Sequence, residues 1–258
     1  MEDFFSKLPS PLEIISDPIS LIILSMYAGL MVWEALAPAR KLPHIRHWKL
    51  KGMISFSAFF FVSSYLPIWI DPFVSEYMLF DLSGLGTLGG ILVGILSYEL
   101  VFYTYHRSVH KFTPLWRVFH QMHHSAERVD TYGAFFLSPA EMISFTVLGS
   151  FVFAFIMGLS PQAVTAIILL LNFLSIFQHA NIRTPRWLGY IMQRPESHSV
   201  HHGRGIHAGN YADLPIWDIL FGTFHNPKNY ENETGFYDGA SSRIKDMILF
   251  RDISKQNN

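Results

Sequence analysis

Apolar positions in this chain come in long runs rather than in one-sided stripes. Five of these runs approach the roughly 20 residues that a helix needs to cross the hydrocarbon core of a bilayer. They predict helical spans at about 19–37, 52–70, 82–105, 140–157 and 161–177. The first is interrupted only by Glu34 and is closed by Pro38. The second carries Pro67 late in the run. The third opens on Gly84, Gly86, Gly89, Gly90 and Gly94, small residues that let helix backbones approach closely. Gly158 to Pro161 reads as a tight turn. The last two runs are short enough for a hairpin that only partly crosses, and the first could be a shallow anchor. From Gln178 onward the chain turns polar, rich in His, Arg, Asn and Gly. The pattern therefore predicts an all-α fold over residues 1–258, a single membrane-embedded domain. Four or five spans carry a histidine-rich helical cap at 106–139 and 178–258.

Composition supports the membrane reading. Of the 258 residues 50% are apolar and only 15% charged, against about 25% charged in soluble domains. A formal net charge of −1 gives no basic field for nucleic acid. The absence of cysteine excludes disulfides, thiolate-ligated zinc and iron–sulfur clusters within the chain. The acids Glu2, Asp3, Glu13 and Asp17 at the start do not read as a secretory signal. Basic residues fall at Pro38–Lys51 and after the third and fifth spans, whereas Asp71–Asp81 has acids and no Lys or Arg. The positive-inside rule then places the cap in the cytoplasm. Short loops and the lack of a fused electron-transfer domain fit a bacterial inner membrane in preference to an internal eukaryotic one.

Eleven of the thirteen histidines lie in the two cap segments. His106 and His110 form HxxxH at the end of the third span. His120, His123 and His124 form HxxHH, and His198, His201 and His202 repeat it; His179 ends the fifth span. Spacings of three and four put imidazoles on one helix face, so each box reads as one cluster. Lone histidines such as His44, His47 and His225 read as surface or satisfied core residues. Nine imidazoles gathered at one end of a bundle repel when protonated and are costly when desolvated, and metal relieves both problems. Nine ligands exceed one zinc site and fit two ions with four or five each. Imidazole suits Zn, Cu, Fe and Ni alike. There is no HExxH and no Glu-x-x-His, so neither the zincin pattern nor the soluble carboxylate-bridged di-iron bundle is present. Neutral ligands at a membrane surface point to iron and oxidation of an unactivated C–H bond.

From Glu99 to Phe224 the ordered set of motifs resembles the fatty acid hydroxylase/sterol desaturase superfamily of integral-membrane di-iron oxygenases. It comprises Tyr105-His106-Arg107-x-x-His110, Trp116 with Phe119-His120-x-x-His123-His124-Ser125, His179-x-Asn181, His198-x-x-His201-His202-Gly203-Arg204, Asn210-Tyr211 and Ile216-Trp217-Asp218-x-Leu220-Phe221-Gly222-Thr223-Phe224. The stretches around His123 and His201 look most like the alkylglycerol monooxygenase branch and its bacterial relatives. The resemblance implies two iron ions held by His106, His110, His120, His123, His124, His179, His198, His201 and His202, with O2 as oxidant. Zinc could replace iron in purified samples. It implies hydroxylation or desaturation of a lipid such as an acyl chain, sterol or ether lipid, and the short first box favours hydroxylation. His207 could be a further ligand, a partner of one, or a surface residue.

Carboxylates are expected to fix the imidazole tautomers. Glu99, an acid inside a span, is one candidate; Asp130, Glu196, Asp213 and Asp218 are the others. Arg107 and Arg204 flank the boxes and could hold a lipid headgroup or meet the anionic membrane surface. The chain has no flavin or nicotinamide fingerprint, so electrons must come from a separate ferredoxin or b-type cytochrome with its reductase. Two readings compete with an oxygenase. A zinc-dependent membrane hydrolase needs a carboxylate base beside the metal. A non-catalytic metal or haem transporter needs ligands along the span interiors, whereas these histidines cluster after the spans.

Overall fold

The computed structural model describes residues 8–255. Glu2 and Asp3 lie outside the described residues. Five helices are long and apolar enough to cross a membrane: α1 (Pro18–Leu36), α2 (Trp48–Val74), α3 (Gly86–Lys111), α4 (Pro139–Ser150, continued by a π-helical turn Phe151–Ile156) and α5 (Pro161–His179). Two short helices, α6 (Pro195–His201) and α7 (Ile216–Leu220), belong to the cap. Among the described residues no strand forms; Gly203 and Thr234 make an isolated bridge. The chain is thus an all-α, multi-pass membrane protein with its histidines in and beneath the cap.

Three spans start with the same local device. Asp17, Ser138 and Ser160 sit before Pro18, Pro139 and Pro161, and their side chains accept from backbone N–H groups of the first turn. The cap satisfies a donor the helix cannot, and proline at the first position has no N–H to leave bare. Two boundaries differ from the sequence expectation. Helix α2 continues through Pro67 and Pro72 to Val74, and α3 continues past 105 to Lys111. In α3 His106 and His110, after Tyr105, face histidines of the cap segments, so hydropathy ended before the helix did.

Helices α2 and α4 pack together, as do α3 and α5, and α1 and α5. The glycines of α3 permit the second contact. A Cβ on Gly94 would lie 2.5 Å from the Ile167 side chain, and one on Gly90 would lie 2.8 Å from that of Ala163. Aromatic rings pack α2 against α1 and against the segment before α4, with Tyr27 stacked on Phe56 and Phe59 on Phe135. At the cap end, Glu34 of α1 accepts from Thr131 N–H (2.8 Å) and Asn181 N–H (3.0 Å), tying α1 to both cap segments.

The cap also dips between the spans. The Trp217 indole donates to the Leu96 carbonyl, midway along α3 (3.1 Å). The Asp213 and Leu214 N–H groups donate to Glu99 Oε2 (2.9 and 3.0 Å). Irregular backbone at such a depth needs protein partners in place of water, and Glu99 supplies one. Ile216, Ile219, Leu220 and Phe221 remain exposed on this segment, as do the outward residues of the spans.

Candidate metal centre

Four pieces of chain bring the histidines to one place. His106 and His110 occupy the last two turns of α3, and His179 is the last residue of α5. A π-helical turn (Trp116–His120) runs into the short helix Gln121–His124 and delivers His120, His123 and His124. Helix α6 and the residue after it deliver His198, His201 and His202. All nine histidines of the boxes fall into two clusters, within each of which the ring nitrogens lie within 4.8 Å of one another. One holds His106, His110, His120, His124 and His201; the other holds His123, His179, His198 and His202.

His106 and His110 share one cluster as their spacing suggested, but the two HxxHH boxes are not single-face clusters. In each HxxHH box the first and last histidines are separated from the middle one: His120 and His124 join one cluster and His123 the other, while His198 and His202 join the second and His201 the first. At 3.6 residues per turn, i and i+4 point nearly the same way, but i+3 and i+4 diverge by about 100°. Each HxxHH box therefore straddles both clusters. His124 stacks on His202 with ring centroids 4.2 Å apart, forming a shared wall.

Outer partners set the tautomers. His106 Nδ1 faces the Tyr211 carbonyl (2.6 Å), His179 Nδ1 the Ser175 carbonyl (2.7 Å) and His201 Nδ1 the Gly209 carbonyl (2.7 Å). A carbonyl only accepts, so each Nδ1 must carry the proton and each Nε2 presents a lone pair. These Nε2 atoms then meet their own kind: His106 and His120 at 2.8 Å, His179 and His123 at 3.0 Å, His198 and His179 at 3.0 Å. His110 Nε2 and His201 Nε2 are buried with no hydrogen-bond partner. Burial first, and the crowd of neighbouring imidazoles second, holds His123, His124, His198, His201 and His202 well below the usual histidine range. Converging neutral rings with facing lone pairs fit a bound cation in each cluster.

The carbonyls that orient His201 and His106 come from one turn. Gly209 (φ 77°) and Asn210 (φ 52°) are both left-handed. A Cβ on Gly209 would lie 2.6 Å from the His225 ring and 2.9 Å from the Thr223 carbonyl. Gly209→Ala is expected to destabilise the cap by about 2 kcal/mol. Thermal unfolding and metal content should fall together in that variant; a stable protein with full metal would show that the turn does not position these rings.

A carboxylate does reach an imidazole, and it is Glu141, which the sequence reading did not single out. Glu141 of α4 accepts from His120 Nδ1, and its other oxygen is buried without a partner. In Ser-Pro-Ala-Glu it looks like an ordinary first-turn acid, and its backbone N–H does donate to Ser138 Oγ (3.1 Å). None of the five expected carboxylates hydrogen-bonds a histidine of the two clusters. Glu99 holds the dipping segment. Asp130 accepts from Trp48 and Gly133, and Glu196 accepts from Thr184 and pairs with Arg194 (3.0 Å). Asp213 accepts from Gln178 (2.7 Å). Asp218 accepts from Tyr211 N–H and Ala212 N–H (both 2.9 Å), so it acts on His106 only through the Tyr211 backbone. His207 lies outside both clusters, with its Nδ1 3.0 Å from His124 Nδ1, and burial pushes it down to about 4. Arg107 donates to Tyr103 OH, and Arg204 pairs with Glu233 and Asp238.

A cavity of about 340 Å³ opens between the spans and ends on His106, His120, His123, His179 and His198. Its wall is largely aromatic and aliphatic, including Phe56, Phe60, Phe102, Phe145 and Leu171. Val164 and His179 both line it, and the helix between them rises about 22 Å. This is the form of a site for one long apolar molecule.

A family model described as "Fatty acid hydroxylase" matches residues 91–223, just over half of the chain and the stretch that holds both clusters. The chain belongs to the fatty acid hydroxylase family. Family membership, the clustered histidines and the five spans agree with the resemblance read from the motifs. Among curated relatives, ornithine lipid hydroxylase OlsE of Rhizobium tropici is 35% identical over 150 residues, covering 53% of this chain and 42% of the relative. Human alkylglycerol monooxygenase is 32% identical over 183 residues, covering 68% of this chain and 37% of the relative. The matches thus span less than half the length of these relatives. No solved structure matches significantly. Helices α1 and α2, which close one side of the cavity, lie outside the family match.

Proposed function

We propose that this family member is a di-iron oxygenase that hydroxylates an unactivated C–H bond of a membrane lipid. The observation that carries the reading is the pair of histidine clusters, five and four rings, at the closed end of an apolar cavity. Bound iron supplies O2 activation and C–H oxidation, chemistry that no side chain performs. His106, His110, His120, His124 and His201 hold one ion; His123, His179, His198 and His202 hold the other. Glu141 fixes His120 and balances charge, and His207 supports His124. The cavity wall lays the lipid chain against the clusters and excludes water. Hydroxylation with O2 consumes two electrons and two protons. A separate ferredoxin or b-type cytochrome with its reductase supplies the electrons, docking on the cap. The basic loops support a cytoplasmic position for that cap.

The test joins metal content to turnover. Anaerobically purified protein is expected to carry about two irons per chain. With reductant, O2 and a membrane lipid extract it should yield products heavier by one oxygen. Hydrogen loss without oxygen gain would make it a desaturase. Tight zinc, no product after iron reconstitution and lipid cleavage without O2 would overturn the reading in favour of a hydrolase.

A further inference from the structure

The cavity has a second polar pole, at the end remote from the histidines. Polar side chains along most of the wall are tied back to their own helices. Ser63 and Ser64 donate to the Phe60 carbonyl (3.1 and 2.7 Å), Thr146 to the Met142 carbonyl (2.8 Å) and Asn172 to the Ile168 carbonyl (2.9 Å). Asp71 and Ser150 differ. Asp71 Oδ1, near the outer end of α2, and Ser150 Oγ, on α4, are shielded and, beyond a loose contact with each other, without a hydrogen-bond partner. The two side chains are neighbours, both line the cavity, and Ser150 is only 4% exposed.

A carboxylate oxygen and a hydroxyl with only each other within the spans leave hydrogen-bonding capacity unused, which is costly unless something completes it. We propose that Asp71 and Ser150 bind the polar end of the lipid, a long-chain molecule ending in a hydroxyl or ammonium group. The carboxylate accepts from that donor, and Ser150 adds a second partner. A chain ending in a carboxylate or phosphate is repelled by Asp71. Ser150 lies nine residues along α4 from Glu141, which touches His120, so the apolar length runs about 14 Å along that helix toward the histidines. On the proposed lipid oxidation, on which this consequence rests, the oxidised carbon lies far from the polar end.

Binding tests the assignment without turnover. The full chain in lipid nanodiscs is titrated with tritiated 1-hexadecanol, and hexadecylamine, hexadecane and hexadecanoate compete. Saturable binding is expected, displaced by the amine but weakly by the alkane and the carboxylate. Asp71→Leu should weaken hexadecanol binding about tenfold or more, and Asp71→Asn less, at unchanged iron content and thermal midpoint. If Asp71→Leu fails to fold, Ser150→Ala carries the test, with an expected loss of about threefold or more. Full affinity in these folded variants, or competition by hexadecane or hexadecanoate as strong as by hexadecanol, overturns the proposal. Asp71-dependent binding without any oxidised product would refute the oxygenase reading and support the anchor.

Discussion

Glu141→Ala is expected to lower iron affinity by about 10- to 100-fold, the usual effect of removing a partner that orients a metal-bound histidine. Glu141 faces His120 Nδ1 from the first turn of α4, and both side chains are fully buried. With the carboxylate gone, the Nδ1 proton has no acceptor and the ring is free to turn its lone pair from the cluster. The local charge changes too, because neutral imidazoles alone would hold the cation. Glu141→Gln keeps an acceptor of the same shape without the charge, so its loss should be smaller than that of Glu141→Ala. Iron titration under anaerobic conditions reads the difference directly, and the absorption of the iron-loaded protein reports the His120 environment. Equal affinity in all three proteins would reduce Glu141 to a helix-capping acid. The contrast is Glu99, the acid the sequence marked out. Glu99→Gln preserves an acceptor for Asp213 and Leu214, and should leave iron affinity near that of the native chain.

The difference between these two acids shows where sequence reading reaches its end. Spans are legible because a lipid-facing helix must be apolar along its length. Their starts are legible too, in Asp17-Pro18, Ser138-Pro139 and Ser160-Pro161, because capping is local chemistry. Eight of the nine clustered histidines are legible for a similar reason, since their spacing is written within about one helical turn, and His179 is legible from its place at the end of the fifth span. The partners of those histidines are another matter. His106, His179 and His201 are oriented by backbone carbonyls, which every residue possesses. Glu99 stood out as an acid in an apolar run, yet it serves the backbone of residues more than a hundred positions away. Glu141 hid behind a role that it also performs. Segment 211–221 reads as cap because its apolar piece is too short for a span, and only the depth of Leu96 shows how far it reaches.

Removing histidines in pairs should separate the two ions in a pattern set by space and not by sequence. Substituting alanine for His198 and His202, which both belong to the four-histidine cluster, should leave about one iron per chain in the other cluster. Alanine at His106 and His110 should do the converse and spare the four-histidine cluster. Alanine at the adjacent pair His123 and His124 takes one ring from each cluster and should weaken both ions. Oxidation needs both, so each pair should reduce turnover by at least about 10²-fold, more than loss of an outer partner such as Glu141. Stoichiometry tells the cases apart where activity cannot: one firmly held iron remains for each same-cluster pair, and two loosely held irons for the adjacent pair. The physical reason is the 100° step between neighbouring helical residues, which aims His123 and His124 at different centres. If the adjacent pair instead left one iron at native affinity, HxxHH would be serving a single ion, and the division of the nine rings into five and four would be wrong.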